Sequence, residues 1–226
     1  MCPAQPANLA RRVAEKETEN IEARAHYLYR QEVTIQEFEK RGTPGGHYRE
    51  TREVIFSPTG ERTERMAGSP VNTLKRLILT EEDFNDIRDV QPFLFTTTQL
   101  WLYETRPRGE EMADGIDCWV LQVRPRQVLD GQRLFDGLFW VDKRDYSVVK
   151  SEGVAVPQIL RRKQENLFPH FTTFRERVDG NYWFPARTYG DDTLPFSSGP
   201  IRMRLDIKYT GYKRFSAEST VTFEKK

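Results

Sequence analysis

Hydrophobic and polar residues alternate along much of this chain, with breaks at Gly, Pro and Asp-Gly pairs. Between Asp117 and Val156 the alternation forms three runs, separated by Asp130-Gly131 and by a charged turn. Because successive side chains of a strand point to opposite faces, such runs predict β-strands, and Asp-Gly pairs predict tight turns. The centre of the chain is therefore predicted to be an antiparallel meander of three strands.

The same alternation, or a high content of β-branched and aromatic residues, predicts strands elsewhere in the chain. The segments are 27–38, 47–56, 61–66, 99–105, 168–178, 181–189, 201–209 and 219–224. The strand 201–209 has the strictest alternation, which predicts one buried and one solvated face. In 99–105, Leu100 and Leu102 are expected to face one way and Trp101 and Tyr103 the other, so that both faces of this strand are covered.

Two helices are predicted. The first spans about residues 8–26, with Asn8 as its cap and a narrow apolar stripe. The second opens at Thr80, whose hydroxyl precedes three acidic residues, and ends before Pro92. Residues 70–80 fit neither period, 157–165 is expected to be a basic connector, and 191–200 is expected to be a loop.

Hairpin follows hairpin in this order, without the strand-helix-strand rhythm of a parallel sheet. The predicted fold class is mainly β with few helices: a large curved antiparallel sheet, or incomplete β-barrel, of about 9–11 strands with helices on its concave side. No linker divides the chain. Residues 1–7 are expected to form a flexible tether, and 8–226 a single domain.

Charge and hydropathy exclude several functions. The 226 residues include 35 basic and 34 acidic side chains, so no net field indicates a nucleic-acid partner. Basic residues along 201–209 are interpreted as a solvated sheet face rather than a base-stacking surface. No apolar run is long enough for a transmembrane segment. No signal peptide is visible, which fits either a cytoplasmic protein or an exported chain without its leader.

The two cysteines exclude a disulfide framework. Cys2, followed by a polar tether, stands where a mature bacterial lipoprotein carries its acylated Cys, and is the candidate lipidation site; a stray terminal thiol is the alternative. Cys118 lies within a predicted strand beside Trp119 and is expected to be a buried packing residue rather than a nucleophile.

No catalytic motif is present, and the protein is predicted not to be an enzyme. His26, His47 and His170 lie far apart in the sequence, so no metal site and no cofactor are predicted. Asp191-Asp192 lacks the ligand ladder of a calcium loop and is interpreted as the start of a loop.

Aromatic residues make up 12% of the chain and concentrate in the middle strands. They are expected to pack the core, or else to line an apolar cavity that a curled sheet with few helices leaves open. The candidate cavity residues are Trp101, Tyr103, Trp119, Leu121, Phe139, Trp140, Trp183 and Phe184.

The chain resembles the lipoprotein-carrier superfamily that includes LolA, LolB and RseB. The resemblance covers most of the chain and is carried by a helix leading into YLYRQEVTIQEF and by the segments REVIFSPTGERTERM, QLWLYE and LFDGLFWVDKRDYSVVKSEG. The matching segments are not residue-specific motifs, and no export signal of the kind typical of that superfamily is visible in this chain. The early strands are also more charged than is usual there.

The resemblance implies a non-catalytic, monomeric envelope protein, periplasmic or outer-membrane-associated. Such a protein would bind a lipoprotein acyl chain or another apolar ligand, with a possible envelope protein partner. The alternative is a protein-interaction or sensor-type scaffold domain whose core is filled by its own side chains.

Overall fold

The computed structural model describes residues 5–56, 62–90, 95–128, 133–161 and 164–215. The helices are α1 (Leu9–Arg24) and α2 (Glu81–Asn85), followed by a π-helical turn (Asp86–Val90) and a 3-10 turn (Leu100–Leu102). The first strands are β1 (Tyr27–Phe38), β2 (Pro44–Phe56), β3 (Arg62–Met66), β4 (Val71–Asn72), β5 (Tyr103–Ala113) and β6 (Ile116–Pro125). They are followed by β7 (Leu134–Asp142), β8 (Val148–Val156), β9 (Ile159–Arg161), β10 (Gln164–Asn166), β11 (Phe171–Val178), β12 (Tyr182–Leu194) and β13 (Ile201–Arg214).

Eleven of these strands form one antiparallel sheet, which is curved but not closed into a barrel. Its order is β3-β2-β1-β13-β12-β11-β8-β7-β6-β5, with β4 paired to β2. The predicted fold class and the predicted central meander, now β6 to β8, are confirmed. The turn at 130–131 and the strand expected at 219–224 lie outside the described residues.

The strands at the two ends of the chain meet inside the sheet, where β1 pairs with β13 from Tyr27 opposite Arg214 to Glu37 opposite Met203. Strict alternation explains this position, because every second residue of β13 from Ile201 to Tyr209 is buried. β13 pairs with β1 on one side and with β12 on the other. Its buried residues face the core, and its polar residues face solvent.

Both predicted helices are present. Thr80 and Asp83 form a reciprocal capping box at α2: the Thr80 hydroxyl accepts the Asp83 backbone N–H, and the Asp83 carboxylate accepts the Thr80 N–H. Asn8 precedes α1, but its side chain makes no capping hydrogen bond, contrary to expectation. Leu9, Val13 and Ala14 of α1 are buried against the sheet.

The expected strand at 99–105 is wrong in its first half. A turn from Thr96 leads into the 3-10 turn, in which Gln99 and Leu102 N–H groups bond three residues back, and β5 begins only at Tyr103. Leu100 and Leu102 face the core while Trp101 is 71% exposed, so the two faces are not both covered. In a 3-10 turn this short, buried and exposed side chains alternate as they do in a strand.

Two expected loops contain strand. Asp191 and Asp192 belong to β12, where the Asp191 carboxylate bonds the guanidinium groups of Arg202 and Arg204 on the adjacent strand. Opposite charges across a strand pair stabilise an extended segment whose own sequence resembles a loop. In the basic connector 157–165, β9 (Ile159–Arg161) pairs antiparallel with β10, which begins at Gln164.

The sheet carries a separate apolar cluster on each face. The larger one, here called the covered-face cluster, contains residues from β1, β2, β5 to β8 and β11 to β13, together with α1 and the segment between β4 and β5. The smaller, opposite-face cluster contains Ala113, Cys118, Val120, Trp140, Val149 and Trp183. Because one cluster joins strands from both ends of the sheet, the sheet must bend around it.

Candidate functional site

The covered-face cluster is the candidate site, and it brings together four of the eight candidate residues: Tyr103, Trp119, Leu121 and Phe139. Each of these side chains is at most 5% exposed. They come from β5, β6 and β7, neighbouring strands whose register places Leu121 directly opposite Phe139. These four side chains share one face because they occupy positions of β5, β6 and β7 whose side chains point to the same side of the sheet.

The structure places the other four candidates elsewhere. Trp140 and Trp183 belong to the opposite-face cluster, and Trp101 is exposed. Phe184 is buried in a group of rings with Tyr27, Tyr182 and Tyr212. Since adjacent residues of a strand face opposite ways, Phe139 and Trp140 never share a surface.

A continuous chain of aromatic rings runs through the covered-face cluster. Phe135 stacks on Phe139 with centroids 5.4 Å apart, and Phe139 lies 5.7 Å from Phe95. Phe171 continues the chain from Phe135 at 5.9 Å, and Phe168 follows at 6.2 Å. Each such pair contributes about 0.5–1.5 kcal/mol beyond the burial of its area. The chain is a long apolar surface in the middle of the sheet.

Trp119 belongs to the same covered-face cluster and takes part in a layered arrangement of side chains. Its ring stacks on Tyr146 at 5.5 Å, and the Arg12 guanidinium of α1 lies 4.7 Å above the Tyr146 ring. Tyr146 lies in the turn that precedes β8, with a φ of 65°. The Trp119 indole N–H is buried without an acceptor in the described part of the chain. A buried donor without an acceptor is unfavourable, and a polar group of a ligand would satisfy it.

Residues 73–90 and 95–102, between β4 and β5, form a cover over this face and are here called the strap. Over 73–90 and 95–102, none of its residues belongs to a strand. The strap contributes Leu77, Ile87 and Phe95 to the covered-face cluster. Backbone hydrogen bonds join its two ends to the sheet: the Thr73 N–H donates to the His47 carbonyl, and the Leu102 carbonyl accepts the Arg126 N–H. Between these ends it is held by apolar contacts and by hydrogen bonds that involve a side chain, so displacement of this middle part would leave the strand pairing of the sheet intact.

The first attachment of the strap is the buried carboxylate of Glu37 at the end of β1. It accepts backbone N–H groups from Lys75, Arg76 and Leu77 at 2.8–3.0 Å, and one from Gly46 at 3.3 Å. Burial alone would raise the pKa of Glu37, but these four donors outweigh burial and hold the pKa below its usual value. An ionised Glu37 therefore fixes the beginning of the strap.

The second attachment is a buried polar cluster beneath α2. Arg133, immediately before β7, donates to the Asp86 carboxylate through its Nε at 2.8 Å and to the Asn166 side-chain oxygen at 2.6 Å. The Asn166 amide in turn donates to Asp83 at 2.7 Å. Burial, together with the charge of Asp86, raises the pKa of Asp83 to about 6. This cluster joins the strap to β7 and β10.

The arrangement offers no catalytic chemistry that we recognise among the described residues. Cys118 is fully buried, as predicted, and burial next to Asp142 raises the pKa of its thiol to about 11, which disfavours the nucleophilic thiolate. No group of three or more His, Cys, Asp or Glu side chains with the spacing of a metal site occurs in the described ranges. Within those ranges no helix combines the length and apolar character needed to cross a membrane.

Sequence reasoning missed several residues of this face. Phe95, Phe168 and Phe171 lie in or next to irregular segments, where no periodicity assigns a ring to a face. The Asp86–Arg133 pair spans 47 residues, so nothing local indicates it. The capping residues Thr80 and Asp83 were the visible signal for α2. Cys2, the lipidation candidate, lies outside the described residues.

No family model matches this chain, and no curated protein does. Among solved structures, it is similar to a DUF1329 family protein from Desulfovibrio piger at 14% identity, over 94% of this chain and 92% of that one, with a TM-score of 0.47. It is similar to an outer membrane lipoprotein-sorting protein domain from Vibrio parahaemolyticus at 13% identity, over 89% and 92% of the two chains, with a TM-score of 0.40.

A LolA superfamily protein from Nitrosomonas europaea is similar at 16% identity, over 95% of this chain and 97% of that one, with a TM-score of 0.41. At TM-scores below 0.5, none of these structures says what this chain binds. The solved structures that the chain matches, a lipoprotein-sorting domain and a LolA superfamily protein among them, are of the kind that the sequence resemblance predicted.

Proposed function

We propose that this chain is a non-catalytic binding protein of the bacterial cell envelope that holds an acyl chain or another apolar ligand on the covered face of its sheet. The observation that carries the proposal is the strap. It lies over a continuous aromatic surface, and between its two ends at Thr73 and Leu102 its described residues are attached to the sheet by contacts that involve side chains rather than by strand pairing. A ligand that replaces the apolar side chains of the strap leaves the sheet unchanged.

The energetics are favourable for a long apolar ligand. Burial of an acyl chain contributes about 0.8 kcal/mol per methylene group. Displacing Leu77, Ile87 and Phe95 costs roughly 1.5–3 kcal/mol for each side chain that loses its burial. An acyl chain of ordinary length therefore offsets the displacement of the strap, whereas a short one does not.

A protein-interaction domain with a self-filled core is the second candidate. The direct contacts among Phe95, Phe135 and Phe139 favour it, because rings at 5.4–5.7 Å leave no space between them. Binding of an envelope protein partner is compatible with either of these two functions. A periplasmic or outer-membrane location and lipidation at Cys2 are parts of the same proposal.

The structure offers a matched pair of variants for the test. Trp119 and Trp140 lie on adjacent strands with similar exposure, 5% and 6%, but on opposite faces of the sheet. We expect Trp119→Ala to weaken binding of an environment-sensitive fatty-acid probe about tenfold, the equivalent of ~1.4 kcal/mol. Trp140→Ala should lower stability comparably and leave the affinity for the probe within about twofold.

The lipid content of the purified protein completes the test. Organic extraction followed by mass spectrometry is expected to recover an apolar ligand that exchanges with the probe. The absence of any extractable lipid, together with probe binding that is absent or equally affected by Trp119→Ala and Trp140→Ala, would reject the binding function and favour the self-filled core.

A further inference from the structure

An open pocket of about 570 Å³ lies at one end of the sheet, where β1 and β12 end and β13 begins. Its volume falls in the range of small-molecule sites. The residues that decide its chemistry are Phe38, Glu39, Lys40, Arg76, Thr193 and Arg202. They come from three segments that are distant in sequence, 38–42, 76 and 193–202, so the pocket is created by the fold.

The lining carries more positive than negative charge. Lys40, Arg76 and Arg202 face one carboxylate, that of Glu39. Within the described ranges, neither Lys40 nor Arg76 has a carboxylate in salt-bridge contact. Arg202 shares the single carboxylate of Asp191 with Arg204. An anion is therefore the complementary ligand.

The two guanidinium groups are held in place rather than free in solvent. The Arg76 backbone N–H bonds the buried Glu37 carboxylate at 3.0 Å, and its side chain donates to the Pro200 carbonyl at 2.9 Å. The Arg202 guanidinium lies 4.8 Å above the Phe38 ring and bonds Asp191 at 3.0 Å. Donors fixed in this way lose little entropy when they bind a ligand.

We infer that this pocket binds a phosphate group, presented by a phosphorylated small molecule or by a phospholipid headgroup. Three cations suit a phosphate, whose charge exceeds that of a carboxylate, and the forked donors of Arg76 and Arg202 match its oxygens. The hydroxyls of Thr193 and Ser198 add donors to the lining. The Phe38 ring offers an apolar wall to the group that carries the phosphate. The inference does not depend on the apolar-ligand function.

The test is titration of the intact protein with inorganic phosphate and with phenyl phosphate, followed by calorimetry at an ionic strength held constant with sodium chloride. We expect saturable binding that is tighter for phenyl phosphate. Lys40→Gln/Arg76→Gln should weaken it at least about tenfold. The matched control, Arg49→Gln/Lys208→Gln, removes the same two charge types from exposed positions outside the pocket and should change the affinity less than about twofold.

Vesicles of phosphatidylglycerol and of phosphatidylcholine, tested by sedimentation, distinguish the two sources. Vesicle binding that is lost in the pocket variant assigns the phosphate to a headgroup, and binding of phenyl phosphate alone assigns it to a free small molecule. If the double variant fails to fold in a circular dichroism melt, Lys40→Gln alone changes an exposed side chain and should still weaken binding about threefold. The inference is overturned if no phosphate compound or vesicle binds saturably, or if the pocket and control variants weaken binding equally.

Discussion

Glu37 and Asp83 are two buried carboxylates that hold the same strap and have opposite pKa shifts. Four backbone N–H donors stabilise the ionised form of Glu37. Asp83 accepts bonds from Thr80 and Asn166, but it is buried next to the charge of Asp86, and its pKa rises to about 6. Whether a buried acid keeps its charge is decided by the number of its donors and by the nearest like charge.

We expect Asp83 to make the stability of the protein fall as the pH rises from about 4 to 6. Below its unfolded pKa of 3.8, Asp83 is protonated in both states, and above about 6 it is ionised in both. Between these values only the folded state keeps the proton, so the free energy of unfolding decreases by roughly 3 kcal/mol in total. Urea unfolding of the protein and of Asp83→Asn across this range measures the difference.

Asp83→Asn loses one capping or Asn166 bond and should be less stable than the native chain at pH 4, by about 1–2 kcal/mol. That deficit should shrink, or change sign, by pH 6.5, because the variant carries no charge there. Glu81→Gln, at an exposed position in the first turn of the same helix, is the control and should follow the native curve. An Asp83→Asn deficit that is constant with pH contradicts the assignment.

Whether the role of a single residue could be predicted depended on how far away in the sequence its interaction partners lie. The cap at Thr80 and the buried state of Cys118 were predictable, because the deciding neighbours lie within a few residues. The role of Glu37 was not, since three of its four donors come from a segment about forty residues away. The face of Trp140 follows from its parity relative to Phe139, but parity does not say which face the strap covers.

Among the strands, a pair of glycines lets the backbones of β7 and β8 and the Phe135 ring approach each other closely. Gly137 of β7 lies opposite Gly153 of β8, and the Phe135 ring packs over both. A Cβ added at Gly153 would lie 2.3 Å from the Asp136 carbonyl oxygen and 2.8 Å from the Gly137 Cα. Such close backbone approach is possible only without side chains.

We therefore expect Gly153→Ala to lower the free energy of unfolding by about 3 kcal/mol, because the backbone of β7 cannot move away without losing its pairing. Gly180→Ala is the control: it adds a methyl group in open space at a turn with a φ of 73° and should cost about 1 kcal/mol. Chemical denaturation of the two variants measures both effects. Equal losses would show that β7 and β8 adjust freely at this point.

Elements whose hydrophobic residues follow a strict period were predictable from the sequence. Elements stabilised by contacts with other strands were not. The burial of alternate residues in β13 follows from its sequence alone. The extension of β12 through Asp191 requires the guanidinium groups of Arg202 and Arg204 on the next strand. The 3-10 turn at Leu100–Leu102 has the same in-out-in pattern as a strand, so the sequence cannot separate the two.

At the scale of the whole molecule, the sequence predicted the class of sheet but not the order of its strands. Hairpins such as β6–β7–β8 follow from short turns. The pairing of β1 with β13 joins segments at opposite ends of the chain, and only the summed burial of the covered-face cluster selects it. Such long-range pairing has no local signal.

This pairing predicts that residues 8–226 unfold as one domain. β13 connects β1 to β12, so it joins the first three strands of the sheet to the rest, and α1 packs on the same covered-face cluster. Loss of either end of the chain therefore removes contacts from both halves of the sheet. Differential scanning calorimetry should give one transition with equal calorimetric and van't Hoff enthalpies. A separate early transition, with β1 to β3 lost before the central meander, would divide the chain into two units at β13.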